Sequence, residues 1–182
     1  VTAARTEPAA AAGPRTAWVG LGANLGDPAA TVTAALHELA ALPDTRLLAV
    51  SSLYRCAPVD AGGPDFVNAV AALATSASPH MLLAQLQAIE LRHGRERPYR
   101  NAPRLLDLDL LLYDGVTLAD PTLTLPHPRM HERAFVLAPL AELAPRLRVG
   151  VHGEVAALLA ACAGQTVERI AAPPVPAQAA GG

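Results

Sequence analysis

Asp107 and Asp109 stand two residues apart in the run 105–113, whose other members are Leu or Tyr. Alternate residues of a strand share a face, so both carboxylates point one way while Leu106, Leu108 and Leu110 point the other. Carboxylates about 6 Å apart repel by about 3 kcal/mol at an effective dielectric near 20, so a cation is expected beside them. Paired hard oxygens suit Mg²⁺, which takes its remaining ligands from water and substrate phosphates, and two ions can bridge one face. Taken alone, the Asp-Leu-Asp pattern fits the solvent side of a half-buried strand better than a metal site. The segment before it shifts that balance. Arg92, Arg95, Arg97, Arg100 and Arg104 crowd together there, with Glu90 and Glu96 the only acids among them. A metal-binding carboxylate pair beside guanidinium forks is what a polyphosphate requires. The alternative is a solvated loop of weak ion pairs.

The composition narrows the chemistry further. The chain has 182 residues, a formal net charge of −2 and 52% hydrophobic residues, enough for one domain with a core. All 14 of its cationic residues are arginine. Mechanisms that need a lysine, such as a Walker-A loop, a kinase strand lysine or a Schiff base, are therefore excluded. Cys56 and Cys162 have no metal-ligand spacing and indicate a reducing, cytoplasmic setting. No apolar run reaches membrane-spanning length. Near-neutral charge argues against a nucleic-acid partner. Ala/Pro-rich tails are expected at 1–15 and 171–182, flanking a single domain over 16–170.

The elements that must position these groups follow from hydrophobic periodicity. A strand is expected over 17–21 and a helix from Pro28 with Asp27 as its N-cap. Strands at 46–54 and 66–75 form a hairpin-like pair around a Gly/Pro-rich loop. A second helix opens at Ser78-Pro79 and stops at Gly94. The strand bearing the aspartates closes at the Asp114-Gly115 turn. A short strand near 123–125 and helices near 131–143 and 154–161 complete the chain. Strand, helix, strand, strand, helix, strand is the βαββαβ order of a ferredoxin-like α+β sandwich, here with an extra C-terminal strand and helices.

Five segments now form a recognisable series: Gly20-Leu21-Gly22-Ala23-Asn24-Leu25-Gly26, Ser51-Ser52-Leu53-Tyr54-Arg55, Asp65-Phe66-Val67-Asn68-Ala69, Gly94-Arg95-Glu96-Arg97, and Leu125-Pro126-His127 through Arg133-Ala134-Phe135. With the run 100–111, they resemble the 6-hydroxymethyl-7,8-dihydropterin pyrophosphokinases of folate biosynthesis over about residues 17 to 145. The resemblance implies an enzyme of ferredoxin-like fold, and a monomer is expected. Such an enzyme moves the terminal pyrophosphate of ATP, with two Mg²⁺, to the pterin hydroxymethyl oxygen and leaves AMP.

Carried onto this chain, the resemblance makes Asp107 and Asp109 the ligands of both ions. Arg95 and Arg97 become the arginines of a catalytic loop that closes on the phosphates, with Arg104 fixed before the metal strand. Gln87, Glu90, Leu110, Thr124, His127 and Arg133 match positions lining the ATP site. Phe66 and Phe135 match the aromatics that sandwich the pterin, Asn68 meets its edge, and Cys56, Ala57 and Val59 form the pocket wall.

The residue types bear on these assignments independently. The chain has only two Phe, which on composition alone belong to the core, although two rings sandwich a flat heterocycle well. Asn is disfavoured in strands, so a buried Asn68 needs a partner. His127, between Pro126 and Pro128, is held extended and either reaches phosphate or is solvated. Asn101 stands where many family members have Trp, Leu105 where Thr is commoner and Phe66 where Tyr is also found, while Pro128 replaces a polar or aromatic residue. Arginine alone serves a loop where the family often has lysine. Two other readings stay open. A metal-dependent nucleotide hydrolase or nucleotidyltransferase would form AMP without a pterin. A nucleic-acid-binding domain would want more aromatics and a basic sheet face.

Overall fold

The computed structural model describes residues 13–59, 62–94 and 105–174. The chain opens with strand β1 (Arg15–Ala23) and helix α1 (Pro28–Ala40). Asp27 caps α1 by accepting the Ala30 amide at 3.0 Å, with Pro28 opening the first turn. Strands β2 (Thr45–Val50), β3 (Leu53–Cys56) and β4 (Phe66–Thr75) follow, then helix α2 (Pro79–Arg92), capped by Ser78, whose Oγ accepts the Met81 amide. Gly94, at φ +78°, ends that turn in the left-handed region that glycine tolerates. Strand β5 (Asp107–Tyr113) carries the aspartates. After it come β6 (Leu118–Ala119), β7 (Thr124–Leu125), a 3₁₀ turn (Met130–Glu132), α3 (Ala134–Leu143), α4 (Val155–Ala161) and β8 (Val167–Ala171).

The main sheet runs β5-β1-β4-β3-β8, with β2 pairing β4 beyond β3, and every pairing is antiparallel. With β2 and β3 taken as one interrupted strand, this is the ferredoxin-like order. One face is closed by α1 and α2. Leu36, Leu39, Leu82, Leu86 and Ile89, all fully buried, meet Val19, Leu21, Leu73, Leu108 and Leu110 there. Among the described residues the other face is covered at one end, where α3 and α4 set Leu137, Leu140 and Val155 over Val70, Leu111 and Leu112. A bulge makes this division possible within β5. Val19 pairs Leu110 and Trp18 pairs Leu112, so Leu111 is an extra residue and β5 changes phase there. The outer side of β5 is not bare backbone: Glu90 accepts the Leu108 amide at 2.9 Å, and the Leu111 carbonyl accepts the His127 amide at 2.8 Å.

Several expectations change. The single strand expected over 46–54 is two, broken at Ser51 and Ser52, both fully buried, whose side chains enter the hydrogen bonding there. The Ser51 hydroxyl accepts the Val70 amide at 2.9 Å, and Ser52 donates its amide and hydroxyl to Glu142. Strand β8, unexpected from the sequence, pairs with β3 and contains Ala171, where a tail was expected to begin; Arg15, assigned to the other tail, lies in β1. The short strand near 123–125 is half of a hairpin with β6. Most of both expected tails lies outside the described residues.

Candidate active site

Cα partners in an antiparallel pair point to the same side, so the register fixes what stands together on the half-open face. One row crosses four strands: Tyr54, Asn68, Gly22 and Asp107. The next row holds Val70, Gly20 and Asp109. Both aspartates therefore look across glycines, where the sheet carries no side chain. Gly22 leaves room for Asn68, since a Cβ there would lie 3.0 Å from its Oδ1. Both carboxylates are half-buried, as the alternation along β5 predicts.

At one end of this floor, Phe66 on β4 and Phe135 on α3 are both half-buried, and α3 packs against β4 and β3. Phe135 packs against the core beneath α3, and each ring keeps part of its surface exposed, on which a flat ligand can stack. Asn68, 4% exposed, donates from Nδ2 to Cys56 Sγ at 3.2 Å, so the partner that a buried Asn68 requires is Cys56. Burial pushes the Cys56 thiol up from its ordinary range, which keeps it neutral. Ala57 and Val59 are exposed beyond it.

At the other end, Asp109, Leu110, Thr124 and His127 line one open cleft, joined by Leu83 and by the β6–β7 turn at 120–123. That turn is built by Asp120. Its Oδ1 accepts the amides of Thr122 and Leu123 and the Thr122 hydroxyl, and Oδ2 lies 2.8 Å from His80 Nε2. These bonds, led by that of the Thr122 hydroxyl, hold the Asp120 carboxyl well below the usual range. His127 is pushed down to about 4, first by burial and then by the Arg133 charge. Its Nδ1 accepts the Arg129 amide at 3.2 Å, which places the proton of the neutral ring on Nε2. His127 is thus a neutral donor at physiological pH. Arg133 is half-buried over the Phe135 ring, 5.6 Å from its centroid, and within the field of both Asp107 and Asp109. Arg133 is thus one cation near the carboxylate pair.

Two assigned residues stand apart from the cleft. Gln87 is exposed on α2. Glu90, 1% exposed, braces the β5 backbone between the two aspartates instead of facing solvent. Arg95, Arg97, Arg100, Asn101 and Arg104 lie outside the described residues.

The donor set fits Mg²⁺. Among the described residues no group of three or more His, Cys, Asp or Glu forms a protein cage for a metal. Two carboxylates over a glycine floor leave the other coordination positions to water and phosphate oxygens, the arrangement Mg²⁺ favours.

Comparison with known proteins agrees with this geometry. The family model described as 7,8-dihydro-6-hydroxymethylpterin-pyrophosphokinase (HPPK) matches residues 18–145. The chain belongs to this family. A Pseudomonas aeruginosa 2-amino-4-hydroxy-6-hydroxymethyldihydropteridine pyrophosphokinase is 50% identical over 154 residues, covering 84% of this chain and 95% of that protein. The enzymes of the same name from Methylorubrum extorquens and Haemophilus influenzae are 46% and 44% identical, over 74% and 72% of this chain and 85% and 83% of theirs. Among solved structures, an HPPK-DHPS in complex with substrates superposes with TM-score 0.68 at 11% identity, over 82% of this chain and 43% of that one. The Plasmodium falciparum HPPK-DHPS wild type gives TM-score 0.63 at 14% identity, over 81% and 44%. This chain spans less than half of those longer chains, and the likeness carries the HPPK fold alone.

Two parts of the site were not read from the sequence. The Asp120-Pro121-Thr122 turn carried a usable signal, an Asp-Pro pair before Thr. The network around Glu142 did not. Ser52 and Tyr54 donate to its carboxylate at 2.8–3.2 Å, and Arg169 Nε donates to Ser52 Oγ at 2.7 Å, bonds that join residues about 90 or more positions apart. Burial, then Glu142, pushes the Tyr54 hydroxyl up to about 12, so it stays a donor. The network ties α3, and with it Phe135, to the strands beneath. Among the described residues no helix is long and apolar enough to cross a membrane.

Proposed function

We infer that this protein is an ATP-dependent pyrophosphokinase that transfers pyrophosphate to 6-hydroxymethyl-7,8-dihydropterin, giving AMP and the pterin diphosphate. The observation that carries the reading is the row Asn68, Gly22, Asp107. With adjacent strands about 4.8 Å apart, Asn68 and Asp107 stand about 10 Å apart across the floor, a span that suits a bicyclic ring edge at one end and its hydroxymethyl oxygen at the other. Phe66 and Phe135 stack on the ring, Asn68 meets its edge, and Cys56, Ala57 and Val59 wall the pocket. ATP takes the cleft of Leu110, Thr124 and His127, its phosphates leading to Asp109.

The hydroxymethyl oxygen attacks the β-phosphorus in line, the bond from that phosphorus to the α–β bridging oxygen breaks, and AMP leaves with that oxygen. Asp107 and Asp109 would hold two Mg²⁺, which when bound neutralise phosphate charge and acidify the hydroxyl. Neutral His127 donates from Nε2 to a phosphate oxygen, and Arg133 holds charge beside the carboxylates. Arg95, Arg97 and Arg104 clamp the developing charge, work that guanidinium forks suit. Glu90 acts through β5, and Gln87 borders the nucleotide. The catalytic domain spans about residues 16–170 and works as a cytoplasmic monomer without a nucleic-acid partner. The decisive assay follows AMP with and without the pterin. AMP formed at the same rate in both would make the protein a nucleotide hydrolase and overturn the reading.

A further inference from the structure

Asn68 carries one carboxamide with two chemically opposite ends, and which end faces the ligand decides what the ligand must offer. Two neighbours fix the answer. On the β3 side, Cys56 Sγ lies 3.2 Å from Nδ2 and accepts its hydrogen. On the β1 side, Oδ1 lies over Gly22, whose missing Cβ would stand 3.0 Å away. A carbonyl oxygen tolerates the Cα–H of glycine at close range, where an NH₂ would set hydrogen against hydrogen. Among the described residues the Asn68 side chain makes no hydrogen bond other than that to Cys56, so Oδ1 keeps its lone pairs for whatever enters the site.

We propose that Cys56 is a positioning residue: its thiol sets the Asn68 carboxamide so that Oδ1 accepts from the ligand, and the pocket thereby selects a ring edge that presents an N–H donor. The inference rests on the placement of the pterin beside Asn68. The thiol is suited to this work because it is buried, neutral and a weak acceptor, holding Nδ2 without drawing the carboxamide away from the ligand. The floor contributes as well, since a Cβ at residue 22 would press on Oδ1 from 3.0 Å.

The test compares Cys56→Ala, Cys56→Ser and Asn68→Ala by the KM for 6-hydroxymethyl-7,8-dihydropterin, the KM for ATP and kcat. Cys56→Ala removes the acceptor and raises the pterin KM about fivefold, with kcat and the ATP KM within about twofold of the parent. Cys56→Ser restores an acceptor and returns the pterin KM to within about twofold of the parent. Equal impairment in Cys56→Ser and Cys56→Ala overturns the proposal, because pocket shape and not hydrogen bonding would then be responsible. Unchanged pterin KM in Cys56→Ala, with a large rise in Asn68→Ala, overturns it while leaving the pocket intact. Unchanged KM in Asn68→Ala removes the pterin placement and the proposal together. An independent reading comes from the Asn68 side-chain amide signals in ligand-free protein. They move in Cys56→Ala and stay near the parent positions in Cys56→Ser; signals that stay put in Cys56→Ala overturn the proposal.

Discussion

The two faces of the central sheet are made by the same strands and obey different rules. Along β1, Val19 and Leu21 go to the helix-covered face while Gly20 and Gly22 go to the other; along β5, Leu108 and Leu110 alternate with Asp107 and Asp109. The first face spends every side chain on exclusion of water. The second gives up a side chain at Gly22, beside Asp107, while the space over Gly20 is taken by buried Leu111. Stability and chemistry are thus separated by the pleat of the sheet, a distance of one residue. Changes at the two aspartates should reach turnover with little effect on folding, and changes on the closed face should do the reverse.

The strongest way to break that contrast is at the carboxylates. Asp107→Ala and Asp109→Ala should each lower pyrophosphoryl transfer by about a thousandfold, with thermal midpoints close to the parent. Near-normal turnover in both would remove the metal pair from the mechanism. On the closed face, Leu86→Ala, at a fully buried position, should lower unfolding free energy by about 3 kcal/mol in urea titrations, with kcat of the folded fraction retained. A catalytic defect without a stability loss would show that the faces are not separate.

The smallest effect sharpens the contrast at the rim, at His127. Its folded value of about 4 lies below the ordinary 6.5, so between those values the unfolded chain binds more protons than the folded one. The contribution is complete above pH 6.5, falls as pH drops, and is gone by about pH 4. It amounts to about 2 kcal/mol and should disappear in His127→Gln. Glu38 and Glu132, held below the ordinary carboxylate range by partners that include Arg92 and Arg129 respectively, lose their contributions only below about pH 4.5, so the stretch from pH 6.5 to 4.5 is free of them. A slope between pH 6.5 and 4 that persists in His127→Gln would place its origin elsewhere.

Much of this was legible along the chain because it is local. The bounds of β4, the caps at Asp27 and Ser78, and the shared face of Asp107 and Asp109 depend on neighbours within a few residues. What was not legible depends on distant partners. Ser51 and Ser52 read as ordinary strand residues until Val70 and Glu142 claim their hydrogen bonds. His80 and His152 offered no partner in sequence. The first meets Asp120, and the second stacks on His131 with ring centroids 3.7 Å apart. Strand β8 is short and mostly exposed, and only the free edge of β3 makes it a strand. Glu90 was set beside the nucleotide by the family resemblance alone, and only the distant amide of Leu108 shows its interior use.

The bulge at Leu111 makes β5 a strand that counts. Upstream of it, odd-numbered residues serve the open face; downstream, Leu112 faces that way and Tyr113 returns to the closed core, its hydroxyl on the Ala77 carbonyl at 2.6 Å. Conservative substitutions leave that count intact, whereas loss of a single codon between 110 and 112 would erase the phase change. Either both carboxylates or Tyr113 would then face the wrong way, and no choice of side chain could repair it. Within this protein the number of residues from Asp107 to Tyr113 is as strictly determined as their identity.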